Sequence, residues 1–279
     1  MSRTVVHKLR GQPTSDGAGV RMTRVIGSPA LDHFDPFLLL DEFRSDDPND
    51  YIAGFPDHPH RGFETVTYML AGRMKHGDNQ GNTGLLGPGS VQWMTAGRGI
   101  VHSEMPQQED GLMWGFQLWV NLPASDKMTA PRYQDIQGHE IPEVDVTSDV
   151  RARIIAGELA GVGGGVTSVA TEPVYYDLHF ESGASLNVPL PEGHNVFVYV
   201  YGGTVQVGPS GAQSVVERGE LALLSHGDAI ELAVGNEPGR LILVGGRPLN
   251  EPIARYGPFV MNTEEELRQA FSDYQNGRL

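Results

Sequence analysis

The chain has 279 residues, too long for one average domain and sufficient for two domains of roughly 100–150 residues each. It contains no cysteine, which excludes disulfides, thiolate metal sites and cysteine nucleophiles, so any metal must be held by nitrogen and oxygen ligands. The net charge is −15 and the basic residues are dispersed. Such a surface repels a phosphate backbone, so we expect no direct binding to nucleic acid.

Segments in which apolar and polar residues alternate occur in both halves of the chain and are typical of strands. Glycine (36 residues) and proline (19) make up about a fifth of the sequence without a three-residue period, which favours short strands joined by tight turns. In each half a strand-like segment runs into a glycine-bearing turn, at residues 70–73 and 201–204. We therefore predict an all-β fold built from a duplicated barrel. The clearest segments are 62–72, 89–97, 196–207 and 240–248.

One region between the two halves lacks this pattern. Residues 122–150 are rich in proline, aspartate and glutamine and show little periodicity, so we place a linker near residues 123–145. The predicted domains are accordingly 1–137 and 138–279.

A short C-terminal helix is the second departure from strands. The sequence TEEELRQAFSDY predicts a helix that Asn262 or Thr263 caps, with Glu266 three residues after Thr263 as in a capping box. A single apolar stripe would pack the helix onto a barrel. Its members are Leu267, Ala270, Phe271 and Tyr274.

No part of the chain is apolar over a sufficient length for a secretion signal or a bilayer-spanning segment. The start, MSRTVVHKLRGQ, has no apolar core, and the longest apolar runs, at 37–40 and 196–201, are too short to span a membrane. We expect a cytoplasmic protein that does not associate with membranes. A monomer is compatible with two barrels that bury each other's faces.

Two pairs of residues in the first half predict a metal site. His58 and His60 are separated by one residue, which places both imidazoles on the same face of a strand. His102 and Glu104 repeat this spacing beside another strand-like segment. Facing each other across a barrel, the two pairs would supply three imidazoles and one carboxylate. Such a set suits a first-row divalent metal and leaves positions for water or substrate.

Other titratable residues have less specific settings. Glu64 lies an even number of positions along the chain from His58 and His60, so on one continuous strand it would lie on the same face as they do. It is a candidate fifth ligand, a hydrogen-bond partner of a ligand, or an ordinary strand carboxylate. We favour the hydrogen-bond partner. His76 lies among polar residues, and we expect it on the surface. The second half has no pair in strand phase, so we expect no metal there. Its isolated histidines are His179, His194 and His226.

Several segments of the chain resemble the pirins, a family of bicupins. They span most of the sequence: residues 32–43, 54–72, 89–106 and 257–263. The resemblance implies two tandem cupin (jelly-roll) β-barrels with the short C-terminal helix, the second barrel being degenerate. Pirins are similar to other cupins in the first motif but take the carboxylate from the second. The resemblance therefore implies that Glu64 keeps the cupin glutamate position without necessarily contacting the metal. The implied ligands are His58, His60, His102 and Glu104.

The resemblance also implies a cofactor and an activity. One mononuclear divalent metal is expected, with Fe(II) first and Mn, Ni, Co and Cu as alternatives that suit the same ligands. Some pirins resemble quercetin 2,3-dioxygenases, which open a flavonol ring with O2. A flavonol-like substrate would bind the metal through its deprotonated 3-hydroxyl, with Glu104, or Glu64 if unligated, as the catalytic base. Four apolar residues are candidates to line the pocket, and we expect half of them to belong to the core instead: Phe55, Met69, Trp93 and Met113.

Two alternative functions remain open from the sequence. Other pirins act through protein partners, and this chain would then be a non-enzymatic iron-binding protein whose metal makes it a redox-responsive regulator. The acidic composition is compatible with a protein partner, although no partner motif is present. The remaining alternative is a cupin that acts on another small molecule.

Overall fold

The computed structural model describes all 279 residues of the chain, mostly as antiparallel strands. The only α-helix, α1, covers Glu264–Gln275, and one turn of 3-10 helix covers Pro48–Asp50. No helix combines the length and the apolar character needed to cross a membrane. Strands β1 to β12 are Val5–Arg10, Gln12–Asp16, Val20–Ile26, Phe37–Ser45, Phe55–His60, Phe63–Ala71, Met74–Asp78, Thr83–Leu86, Val91–Thr95, Ile100–Pro106, Met113–Asn121 and Arg132–Ile136. Strands β13 to β26 are Glu143–Thr147, Val150–Ala156, Glu158–Leu159, Val162–Gly163, Val174–Phe180, Ser185–Pro189, Asn195–Gly202, Thr204–Val207, Ser214–Glu217, Glu220–Leu224, Ala229–Val234, Gly239–Gly246, Ala254–Tyr256 and Phe259–Met261.

The strands form two compact units that exchange the ends of the chain. The N-terminal unit comprises residues 12–139 with 249–279, and the C-terminal unit comprises residues 1–11 with 140–248. The predicted division after residue 137 lies close to the internal boundary and differs from the structure at both ends of the chain. Strand β1 pairs with β22, and the segment carrying β25, β26 and α1 belongs to the N-terminal unit. The alternation of residues within a strand does not specify which strand it pairs with. The local sequence therefore does not predict that the two units exchange the ends of the chain.

The N-terminal unit is a jelly roll of two antiparallel sheets. The larger sheet has the order β12-β9-β6-β11-β4-β3-β2, and the smaller has the order β5-β10-β7-β8. The central strands β6 and β11 are buried along nearly their whole length, which suits their β-branched and aromatic residues. Residues from both sheets line a cavity inside this barrel.

The C-terminal unit repeats this arrangement. Its larger sheet has the order β1-β22-β19-β24-β17-β14-β13, and its smaller sheet has the order β18-β23-β20-β21. Aliphatic side chains such as Val198, Ile230 and Leu241 form its core. The two sheets of seven and four strands in each unit confirm the predicted all-β fold of two tandem barrels.

The segment predicted as a linker contains one strand and the beginning of another. Strand β12 pairs with β9 at the edge of the larger N-terminal sheet, and β13 pairs with β14 at the edge of the larger C-terminal sheet. Both are edge strands with substantial exposure, so polar residues occupy positions that would be apolar in a central strand. The two units divide between residues 139 and 140, within the range of 123–145 predicted for the linker, but that range also contributes an edge strand to each unit.

The predicted C-terminal helix is confirmed. Thr263 is its N-cap and forms a reciprocal capping box with Glu266. Leu267 and Ala270 are buried against the β25-β26 hairpin, whereas Tyr274 is exposed. The helix is also held by Asp273, which accepts a 2.8 Å hydrogen bond from Nη1 of Arg61.

Candidate metal centre

Strands β5 and β10 bring the two predicted pairs together. Their antiparallel register places His58 directly opposite His102, while His60 lies two residues from His58 on the same strand. The ring centroids of the three histidines are 4.5–5.0 Å apart, and one nitrogen from each lies within 4.8 Å of the others. Three imidazoles that converge in this way can bind a single ion.

Two of the three imidazoles are buried and have ring nitrogens without a protein partner, which leaves those nitrogens available to a cation. His102 is fully buried and neither ring nitrogen has a hydrogen-bond partner; Nδ1 of His60 is likewise buried and unpartnered. Burial, together with the neighbouring histidines, holds the pKa of both rings well below its usual range. Neutral imidazoles with free lone pairs are the form that binds a metal. The residues therefore fit the metal that the sequence predicts.

The third histidine is oriented by the backbone. Nδ1 of His58 lies 2.8 Å from the carbonyl oxygen of Pro56, an acceptor, so this nitrogen carries the proton. The other nitrogen, Nε2, is then the one available to an ion. A carbonyl that fixes the tautomer of a ligating histidine is a common arrangement around metals.

Glu104 lies beside this cluster without being part of it. The group of mutually close ligand atoms consists of the three histidines, whereas Glu104 lines the same cavity and is buried. Its Oε1 accepts a 2.7 Å hydrogen bond from the hydroxyl of Thr67, which is also 2.7 Å from Oε1 of Gln117. The hydroxyl has one proton and can donate to only one of them at a time. The carboxylate is therefore held close to the histidines by a neutral donor.

Glu64 lies on the other face of its sheet. The cavity-lining Thr67 is three residues away on β6, and residues an odd number apart on a strand point to opposite faces. Oε1 of Glu64 accepts a 2.6 Å hydrogen bond from Thr95, and burial raises the pKa of its carboxyl. The expected strand phase with His58 and His60 does not continue into β6 because the chain turns at Gly62, where φ is +88°. Glu64 is thus neither beside the histidines nor positioned as a base.

His76 is buried, and the prediction that it lies on the surface is wrong. It is 1% exposed, its Nε2 is 2.9 Å from Oδ2 of Asp135, and its ring stacks on Tyr133. Its cross-strand partner on β8 is Gly84, where an added Cβ would lie 2.0 Å from Nε2 of His76. The missing side chain of this glycine leaves room for the ring, so the polar sequence around His76 does not indicate exposure.

The cavity has a volume of about 610 Å³, within the range of roughly 300–1,000 Å³ that is typical of ligand pockets. Of the four predicted lining residues only Phe55 contributes; Met69 and Met113 are in the hydrophobic core, and Trp93 is buried elsewhere. The apolar part of the wall comprises Met22, Leu39, Phe43, Phe55, Met74 and Trp119.

Several cavity residues were not predicted. Gln117 and Trp119 are alternate residues on β11 and point into the cavity, and the ring of Trp119 lies edge-on to His60 with centroids 5.2 Å apart. Gln117 is a polar residue within an otherwise apolar strand, and this feature of the sequence could have indicated that it lines a cavity. Two arginines, Arg24 and Arg255, also line the wall, and no sequence pattern connects either of them to the histidines.

Comparison with protein-family models identifies both units. The pirin model matches residues 19–120, and the model of the pirin C-terminal cupin domain matches residues 175–279. A Pseudomonas aeruginosa protein, named as a provisional quercetin 2,3-dioxygenase, is 51% identical and the alignment covers 99% of this chain and 98% of the relative. Human pirin is 44% identical, with 99% of this chain and 94% of the relative covered.

Solved structures share the fold. A quercetin 2,3-dioxygenase from Acinetobacter baumannii, solved at 1.88 Å, is 33% identical with a TM-score of 0.91; 100% of this chain and 98% of that chain are covered. A bacterial pirin from Escherichia coli in complex with nickel(II) is 18% identical with a TM-score of 0.68, over 87% of this chain and 99% of that chain. The similarity at this lower identity concerns the fold alone.

Proposed function

The chain belongs to the pirin family, and from this premise we propose that it is a metal-dependent dioxygenase that opens a flavonol-type ring with O2. The observation that carries the proposal is the convergence of three imidazoles at a cavity with an apolar wall, two of them buried and with ring nitrogens that have no protein partner. The provisional name of the Pseudomonas relative and the name of the Acinetobacter enzyme both refer to quercetin 2,3-dioxygenase, which agrees with this activity.

In this proposal His58, His60 and His102 hold one divalent metal, and Glu104 is a fourth ligand or the base. We propose Fe(II) as the metal; Mn, Ni, Co and Cu also suit the same nitrogen and oxygen ligands. When bound, a divalent metal supplies Lewis acidity, which lowers the pKa of a coordinated hydroxyl.

The protein's own residues then have separate roles. Glu104 accepts the proton of the flavonol 3-hydroxyl, because it is the buried carboxylate on the histidine side of the cavity. The Thr67 hydroxyl holds this carboxylate in place through the 2.7 Å hydrogen bond. Phe55 offers a flat apolar surface to an aromatic ring, and the edge of Trp119 helps to exclude water from the site.

The experiment is anaerobic reconstitution of the full chain with Fe(II), followed by quercetin and then O2. We expect loss of the quercetin absorbance, uptake of O2 and release of carbon monoxide. The H60A variant should lose bound metal and activity together, and E104Q should lose activity. The matched control is H139A, which removes an exposed histidine of the same unit.

Two outcomes would contradict the proposal. If the protein binds metal stoichiometrically but does not consume quercetin, the proposed dioxygenase activity is ruled out and the non-enzymatic alternative remains. Stoichiometric metal in H60A would instead overturn the assignment of the ligands. Elemental analysis of protein purified without added metal identifies the ion.

A further inference from the structure

The two arginines in the cavity wall differ in how their charge is balanced. Arg24 donates from Nε and Nη2 to the two carboxylate oxygens of Asp41, at 3.0 and 2.7 Å, and from Nη2 to Asp16 at 2.9 Å. Its charge is therefore neutralised within the wall. Arg255 has no carboxylate within ion-pair distance and donates only one hydrogen bond, at 2.9 Å, to the carbonyl oxygen of Leu38. Most of its N–H donors remain available to a ligand.

Arg255 is connected to the histidines through one aromatic ring. Its guanidinium carbon lies 5.2 Å from the ring centroid of Trp119, as in a cation–π contact, and Trp119 is itself 5.2 Å from the ring of His60. Two steps of 5.2 Å put the guanidinium within about 10 Å of that histidine. A molecule of two or three fused or linked rings bound at the histidines can therefore reach Arg255 along the face of the cavity.

The position of Arg255 is unfavourable for the protein alone. It is partly desolvated, and this burial lowers the pKa of its guanidinium, which nevertheless stays charged. Asp32 and Asp41 favour this charge from a distance, but neither forms an ion pair with it. A partly buried cation that makes no direct ion pair is unfavourable for the fold, and a ligand carboxylate would supply that pair. Carboxylates match the planar fork of an arginine through two parallel hydrogen bonds.

We propose that Arg255 binds a carboxylate on an aromatic substrate whose other end meets the metal, so that the cavity prefers aromatic acids to their neutral parents. This inference rests on the proposed function, because it names the substrate class of the same site. It adds a residue that selects the substrate at the part of the molecule that does not bind the metal.

A purely structural role for Arg255 predicts a different result. Through its bond to Leu38 the residue also ties β25 to β4, and the loss of that bond would weaken the binding of every ligand alike. Selective recognition instead changes the ratio of two affinities. The test therefore compares two probes that differ only in the carboxylate.

The probes are 3-hydroxyflavone and 3-hydroxyflavone-4′-carboxylate, titrated by fluorescence into the full chain loaded anaerobically with Fe(II). We expect the wild type to bind the carboxylate about tenfold more tightly than the parent, as for a hydrogen bond to a charged group. In R255Q the ratio should fall to about one. R255K keeps a point charge without the planar fork, so its ratio should lie between the two. R21Q, which removes an exposed arginine paired with Asp50, should retain the wild-type ratio.

Equal affinity of the wild type for both probes, or failure to bind either, would overturn the inference. An unchanged ratio in R255Q would overturn it as well. If R255Q does not fold, the R255K ratio decides. Turnover of the neutral probe with O2 is measured separately: a carboxylate preference without turnover contradicts the proposed function alone, and turnover without the preference contradicts this inference alone.

Discussion

His58 and His102 are direct partners across the antiparallel pair of β5 and β10, and their ring centroids lie 4.5 Å apart. Both rings therefore project from strands that are held in place by the backbone hydrogen bonds of a sheet, and neither ring projects from a flexible loop. A site built on strands holds its ligands in place before a metal arrives.

Metal should stabilise the wild type and leave H102A unaffected. A ligand present at 100 times its dissociation constant stabilises the folded state by about 2.7 kcal/mol, which raises the unfolding temperature by roughly 5–10 °C. H102A removes the most buried of the three imidazoles, so we expect no shift on addition of Fe(II) or Ni(II). Thermal unfolding with and without metal is the measurement. A full metal-induced shift in H102A, equal to that of H139A, would contradict the ligand set.

Replacement of Thr67 by valine should impair catalysis. The variant keeps the shape of the side chain and removes the 2.7 Å hydrogen bond to Glu104. A hydrogen bond to a charged group contributes about 1.5–3 kcal/mol, so we expect kcat to fall roughly 10- to 100-fold. T65V is the matched control, because Thr65 is equally buried on the same strand but does not line the cavity. Equal kcat values for the two variants would show that the Thr67 hydroxyl does not matter.

Lys127 should make part of the stability depend on pH. Its buried ammonium donates to the carbonyls of Gly62 and Val260 and to Oδ1 of Asn121, and burial lowers its pKa to about 8. Between this value and the ordinary 10.5 the unfolded chain binds more protons at this residue than the folded protein does. The contribution of Lys127 to stability therefore rises with pH across that window, by at most about 3 kcal/mol.

Urea unfolding of wild type and K127M at pH 7.5 and 10.5 measures this effect. K127M should be less stable at both values because it leaves two buried carbonyls unpartnered. The gap between the two proteins should be wider at pH 10.5. A gap that is constant or narrower at the higher pH would contradict the lowered pKa.

Two glycines with the same backbone conformation should respond differently to alanine. Gly62 and Gly81 have φ values of +88° and +89°, but a Cβ at Gly62 would lie 1.9 Å from the carbonyl oxygen of Val260, whereas nothing lies within 4 Å at Gly81. G81A should cost only the backbone strain, about 1 kcal/mol. G62A should cost clearly more, on the order of 3 kcal/mol, and weaken metal binding because the turn follows His60. Similar unfolding free energies for the two variants would refute this difference.

Much of the metal site was predictable because its residues follow short periodic patterns. The i, i+2 spacing places His58 and His60 on one face of a strand whatever the rest of the fold does. The capping box around Thr263 is equally local and was found from four consecutive residues. The role of Glu64 was not predictable, because the turn at Gly62 separates its strand phase from that of the histidines.

The sequence by itself determined the all-β class, the duplication and the histidine cluster, since alternation and short spacings depend only on neighbouring residues. Tertiary structure alone decided which chain ends each unit receives, that Glu64 faces away from the cavity, and that Arg255 lies over Trp119. These relationships join residues far apart in the chain. They depend on strand register and sheet order, which many sequences with the same alternation leave open.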